Sequence, residues 1–277
     1  MPTVHVGDVD LYYEAHGEGT PLLLINGLGS SVEMWSPFWK RLAEHYGVIL
    51  FDNRGVGRSS TTGAPLSVRL MADDAAGLLE AIGVPQAHVF GASMGGMIAQ
   101  ELVLGYPAKV RALVLNVTTC GGRHMVPPKP EVMAQMAQMG NPPPGTSIVE
   151  ILWSIVDTPE YLAAHRDELA REAAAIRYPT SPEMFRRQAE AVMKFNVYDR
   201  LPEIRVPTLV MAGTRDVLMP PGNAEILASR IPGASLRVME GAPHALTRER
   251  EGEAVRAIVE FLSSVDRASG RPLPRMP

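Results

Sequence analysis

Short runs of consecutive apolar residues punctuate this chain at residues 22–25 (LLLI), 48–51 (VILF), 88–90 (HVF) and 112–117 (ALVLNV). Between them lie stretches with helical spacing, residues 66–82 closed by Gly83 and residues 94–106 stopped by Pro107. Runs this apolar are buried on both faces, so the alternation predicts a largely parallel sheet with helices on each side. Residues 4–6 and 11–15 read as an opening hairpin around Gly7 and Asp8. Ser36-Pro37 reads as an N-cap followed by a proline in the first helical position, opening a helix that reaches Tyr46. The pattern resumes with a strand at 208–212 (TLVMA), a helix at 223–230, a last strand at 236–239 and a last helix at 247–265. Residues 119–199 differ: they hold prolines, many methionines and amphipathic helical pieces, with no clear buried strand.

Composition narrows the class. The chain has 277 residues, 46% hydrophobic and 20% charged, with a net charge of −4. That suits a globular protein with a substantial core. Basic runs are absent, which argues against a nucleic-acid partner. No run approaches the roughly 18 uninterrupted apolar residues of a membrane span. The N-terminus lacks the basic and apolar segments of a signal peptide. A single cysteine, Cys120, excludes an internal disulfide and fits a reducing compartment. A cytoplasmic protein is therefore expected, and nothing in the sequence fixes an oligomeric state. There is no HExxH, CxxC, GxxxxGK[ST] or GxGxxG, so neither a metal nor a nucleotide cofactor is expected.

The stretch GASMGG, residues 91–96, is the main chemical signal. Glycine gives up more backbone entropy on folding than any other residue, so this cluster suggests a corner too tight for side chains. Ser93 sits between an apolar run and a helical stretch, at a strand-to-helix corner. There its hydroxyl points away from the sheet, beside the first N–H groups of the helix. A serine hydroxyl attacks only with a base in reach, an anion to orient that base, and N–H donors for the developing oxyanion. Of seven histidines, only His244 lies in a loop just after a late strand, in the segment EGAPH. Two acids follow strands: Asp216 in AGTRD and Asp52 in FDNRG.

With these residues in place, the chain resembles the α/β-hydrolase superfamily over residues 1–118 and 200–265. Asn26-Gly27-Leu28-Gly29 resembles the loop after the third strand, usually His-Gly-x-Gly. Residues 52–59 (DNRGVGRS) resemble the family's Asp-x-Arg-Gly-x-Gly-x-Ser turn. The segments PTLVMAGTRD and GAPH resemble its acid and histidine segments. The nearest likeness is to carboxylesterase, enol-lactonase and cofactor-free perhydrolase branches. The family's chain order of serine, acid, histidine is obeyed by Ser93, Asp216 and His244; Asp52 precedes the serine. The resemblance implies that Ser93 attacks, His244 carries the proton, Asp216 orients the imidazole, and the N–H groups of Leu28 and Met94 form the oxyanion hole. Asn26, where histidine is usual, requires different supporting hydrogen bonds in that loop. Asp52 and Arg54 read as structural braces, and Cys120 as a quiet border residue. The implied architecture is a hydrolase core with a helical cap, 119–199, inserted after the sixth strand, and a loose tail at 266–277.

The cap stretch carries pliant apolar side chains: Met125, Met133, Met136, Met139, Trp153, Met184 and Met193. Flexible thioethers suit irregular apolar ligands. No basic cluster there suggests a phosphate. The expected substrate is therefore a small, uncharged, moderately hydrophobic ester or lactone, cleaved through an acyl-enzyme. Asn26, Gly27, Met125, Trp153 and Leu218 are the candidate substrate-binding residues. A perhydrolase or lyase using the same triad, or a small-molecule receptor on the same fold, remain open as alternatives.

Overall fold

The computed structural model describes residues 2–35, 37–139, 141–146 and 148–269. Five apolar segments build its centre: β3 (Pro21–Ile25), β4 (Gly47–Phe51), β5 (Ala87–Ala92), β6 (Val110–Asn116) and β7 (Thr208–Gly213). These strands are buried almost throughout because helices cover both faces of the sheet. An antiparallel pair, β1 (Thr3–Val6) and β2 (Val9–His16), and a last parallel strand, β8 (Ser235–Met239), complete eight strands in the order β1-β2-β4-β3-β5-β6-β7-β8.

One face of the sheet carries α2 (Val68–Ala81), α3 (Met94–Gly105) and α9 (Gly222–Arg230). The other carries α1 (Phe38–Leu42), α10 (Leu246–Glu249) and α11 (Glu251–Ser269). Among the described residues, five α-helices lie between β6 and β7: α4 (Pro130–Met139), α5 (Ile148–Val156), α6 (Pro159–Ala164), α7 (Arg166–Ala175) and α8 (Pro182–Lys194). Capping explains several starts. Ser67, Thr158 and Ser181 each accept the N–H three residues on, opening α2, α6 and α8, and proline occupies the first turn of the latter two.

The sequence expectations need four corrections. The helix after Pro37 stops at Leu42 and the chain turns through residues 43–46, since it must reverse into β4 at Gly47. The final helix is broken at Arg250, whose φ of −124° and ψ of 38° are not helical, so α10 and α11 are separate. That second helix runs to Ser269, into the stretch expected to be a loose tail. Asp266 there pairs with buried His88 at 3.1 Å and with Arg111 at 2.8 Å, which holds the helix to the sheet. Finally β8 is an edge strand, with Leu236 and Val238 each 40% exposed, rather than a strand buried on both faces. Ser36 and residues 270–277 lie outside the described residues. No helix among those described is long and apolar enough to cross a membrane.

Candidate active site

Ser93 is the single residue between β5 and α3. Its φ of 56° and ψ of −121° lie where only glycine is comfortable. The surrounding backbone enforces that conformation: Ser93 N–H donates to Asn116 O at 3.0 Å, and Ser93 O accepts from Gly96 N–H and from the Thr118 hydroxyl. The glycines of the motif make the corner possible. A Cβ on Gly91 would lie 2.3 Å from Gly95 O, and one on Gly95 would lie 2.0 Å from Ile25 O, so the helix rests directly on the strand ends. Gly95→Ala is accordingly expected to destabilise the fold by about 3 kcal/mol or more, the upper end of overpacking costs. Urea denaturation checks this, and an unchanged midpoint would show that the helix has room to shift.

The loop after β3 folds over this corner. A Cβ on Gly27 would sit 3.3 Å from the Cβ of Ser93, so the two chains touch. Asn26 braces the loop from inside: its Oδ1 accepts Gly27 N–H at 2.8 Å and its Nδ2 donates to Ser31 O at 3.1 Å. Those are the supporting bonds that asparagine supplies in place of histidine. Asp52, fully buried, accepts Val32 N–H at 2.6 Å and Arg58 N–H at 2.9 Å, and so holds the same loop from below. From above, Gln188 and Thr180 bond to the N–H and the carbonyl of Gly29, each at 2.8 Å. Met94 N–H is the first of α3; among the described residues neither it nor Leu28 N–H meets a protein acceptor.

Asp216 and His244 are 28 residues apart in sequence but follow adjacent parallel strands. Arg215 N–H donates to Ala242 O at 2.9 Å and Thr214 N–H to Met239 O at 3.1 Å, stitching the two loops together. His244 Nδ1 then lies 2.8 Å from Asp216 Oδ2, with the Asp216 side chain fully buried and the histidine 8% exposed. The other carboxylate oxygen accepts Leu218 N–H at 2.9 Å and Met219 N–H at 2.7 Å. With Nδ1 as the donor, all three contacts to the Asp216 carboxyl are donor–acceptor pairs, and Nε2 is left without a proton.

Ser93 and His244 both line one cavity of about 500 Å³. Asn26, Gly27, Leu28, Met94, Trp153 and Leu218 line it too, whereas Met125 does not. The chain just after Met125 is pinned elsewhere, because Asn223 accepts Val126 N–H and donates to Val126 O. Sequence reasoning missed Trp35, Asn116, Val117, Arg177, Met219 and Arg248 in the wall. The strand-end rule that singled out Asp216 would also have pointed to Asn116, the last residue of β6. Val117 is a β-branched residue at a φ of 46°, held there by donating its N–H to Met211 O. Cys120 is buried beyond the wall, and burial pushes its thiol up.

The inserted helices are tied to the histidine loop. Ala245 N–H donates to Val156 O at 2.8 Å, Thr158 bonds to both carboxylate oxygens of Glu249, and Arg248 donates to Asp157 at 3.0 Å. Burial pushes the Asp157 carboxyl up to about 6; Arg248 pulls it down, Glu249 and Glu172 add to the rise, and His244 opposes it. A raised carboxyl keeps its proton longer in the folded than in the unfolded chain. Stability contributed here is thus lost as pH rises from about 4 to 6 and stays low above that. Asp157→Asn is expected to abolish this fall, raising stability at pH 8 by about 3 kcal/mol while changing little at pH 4. Urea midpoints of the two proteins at both pH values check it.

A family model described as the alpha/beta hydrolase fold matches residues 20–249. The chain belongs to this family and is a hydrolase. It is 34% identical to a putative carbamate hydrolase RutD of Azorhizobium caulinodans over 96% of this chain and 100% of that protein. It is 34% identical to a poly(3-hydroxyalkanoate) depolymerase of Ectopseudomonas oleovorans, over 88% of this chain and 84% of the other. The crystal structure of an enol-lactonase from Burkholderia xenovorans LB400 superposes with a TM-score of 0.83 at 25% identity, covering 95% and 100% of the two chains.

Proposed function

We propose that this hydrolase cleaves a small, uncharged, moderately hydrophobic carboxylic ester or lactone through an acyl-enzyme. The observation that carries the reading is the 2.8 Å pairing of Asp216 with His244, which lines the same cavity as Ser93. Ser93 Oγ attacks the carbonyl carbon while its proton passes to His244 Nε2. The carbonyl oxygen, now negative, receives the N–H groups of Leu28 and Met94. Collapse breaks the bond to the alcohol oxygen, which takes the proton from His244 and leaves Ser93 acylated. Water then attacks the acyl carbon with His244 again as base, and the acid departs.

The wall supports an uncharged substrate. Arg177 is already paired with Glu33 at 3.2 Å and Arg248 with Asp157 at 3.0 Å, so neither arginine is left over for an anion. The cap, residues 119–199, contributes Met136, Met139 and Trp153 to the wall, which are apolar and adaptable. A volume near 500 Å³ fits the roughly 300–1,000 Å³ of pockets that enclose drug-sized ligands. The test is a panel of p-nitrophenyl esters of graded acyl length, several lactones and a carbamate ester, with intact-mass analysis for an acyl adduct on the peptide containing Ser93. Turnover with that adduct is expected for esters or lactones. Turnover of the carbamate alone would move the substrate class, and turnover without any adduct would remove the acyl-enzyme.

A further inference from the structure

Three side chains from the inserted segment converge on one glycine of the loop after β3. Gly29 N–H donates to Gln188 Oε1 and Gly29 O accepts from the Thr180 hydroxyl, each at 2.8 Å. A Cβ on Gly29 would lie 2.9 Å from the Phe185 ring, so the third contact leaves no room for a larger residue. Ser30 N–H donates to Gly27 O at 3.3 Å, which makes Gly29 the third residue of a four-residue turn. Its φ of 68°, after a Leu28 without positive φ, defines the turn as type II. The central peptide of that turn joins Leu28 to Gly29, and Gln188 holds its N–H. The peptide next to it carries Leu28 N–H.

These bonds are not needed to attach the inserted helices. Arg187 already donates to Thr62 O at 3.0 Å and to Ala64 O at 2.6 Å, and Glu33 accepts the N–H groups of Arg177 and Tyr178 at 2.9 and 3.1 Å. Gln188 is fully buried, and burying a glutamine costs both side-chain freedom and hydration. Neither Gln188 nor Thr180 lines the cavity, so their effect on a substrate must pass through Gly29. Building on the ester-cleaving reading, we propose that Gln188 and Thr180 are positioning residues for the oxyanion hole. They fix the two peptide groups that flank Gly29, and this holds the adjoining Leu28 N–H on the oxygen of the tetrahedral intermediate. The inserted segment thus sets the oxyanion hole as well as covering the cavity.

The test compares two inhibitors of nearly equal shape, an aryl trifluoromethyl ketone and the secondary alcohol obtained from it by reduction. Ser93 Oγ adds to the ketone carbon, its proton passes to His244 Nε2, and the carbonyl oxygen becomes an oxyanion; the alcohol can only bind. The ratio of the alcohol's inhibition constant to the ketone's therefore reports oxyanion stabilisation, and it does not depend on how much of a variant is folded. Gln188→Met and Thr180→Val are each expected to lower this ratio about tenfold, less than the roughly 10²–10³ lost with a whole oxyanion donor. Turnover of an aryl ester should fall in parallel through kcat, with KM little changed. Thr180→Ser keeps the hydroxyl and is expected to keep the wild-type ratio. Side chains that merely fasten the inserted helices would instead lower the urea midpoint and weaken both inhibitors alike. An unchanged ratio in either Gln188→Met or Thr180→Val, or an equal loss in Thr180→Ser, overturns the proposal. A wild-type protein that hydrolyses no ester and binds the ketone no tighter than the alcohol would overturn the ester-cleaving reading itself.

Discussion

Ser93→Ala is expected to lower kcat on an activated aryl ester by on the order of 10⁶, as loss of the nucleophile does in other triads. The fold should survive the change. Alanine has the same Cβ, the Ser93 hydroxyl makes no hydrogen bond among the described residues, and the backbone bonds that fix the corner remain. Ser93→Gly should be just as inactive yet more stable. A φ of 56° with a ψ of −121° costs a residue with a side chain about 1–3 kcal/mol, and glycine relieves it. Part of that gain, about 0.5–1 kcal/mol, is offset by the extra freedom of glycine in the unfolded chain. An inactive glycine variant with a raised urea midpoint would mean that the corner stores strain to present the hydroxyl. Near-normal steady-state turnover in Ser93→Ala would refute the nucleophile.

The strained corner was legible because its requirements are local. Glycines at 91, 95 and 96 are unfavourable wherever side chains fit, so their spacing around one serine reports a steric demand that the fold then displays. The central strands were legible for a similar reason, since a run such as LLLI can only be buried on both faces. The edge strand β8 was misread because three of its residues, Leu236, Val238 and Met239, are as apolar as those of a central strand; what exposes the first two is their place at the sheet edge. Position in a sheet is a tertiary fact that composition does not carry.

The cavity wall was only half legible. Among the methionines of the inserted helices, Met136 and Met139 line the cavity, while Met133 is 48% and Met193 81% exposed. Met184 packs elsewhere again, and a Cβ on Gly55 would lie 2.3 Å from its Cε. All are the same residue type at helical spacing, and only the docking of each helix sorts them. Asn116 and Trp35 stayed hidden for another reason. They reach the wall only through the register of β6 and the fold of the loop after β3, which are set by tertiary packing.

Asp216→Asn is expected to lower turnover by on the order of 10⁴, and the structure says why the amide cannot evade the problem. One carboxylate oxygen already receives the N–H groups of Leu218 and Met219, at 2.9 and 2.7 Å. An asparagine there must keep its carbonyl oxygen toward those two donors, or else face N–H against N–H. Its NH₂ group is therefore driven toward His244 Nδ1. That nitrogen must then accept, which moves the imidazole proton to Nε2, the atom that receives the proton of Ser93 in the proposed mechanism. The geometry survives while the tautomer is wrong, so substrate binding and the urea midpoint should change far less than kcat. Turnover within tenfold of wild type would mean that another acid orients the histidine. Asp52 is poorly placed to be that acid: its two oxygens are already taken by Val32 and Arg58 N–H, and it holds the loop after β3 from below.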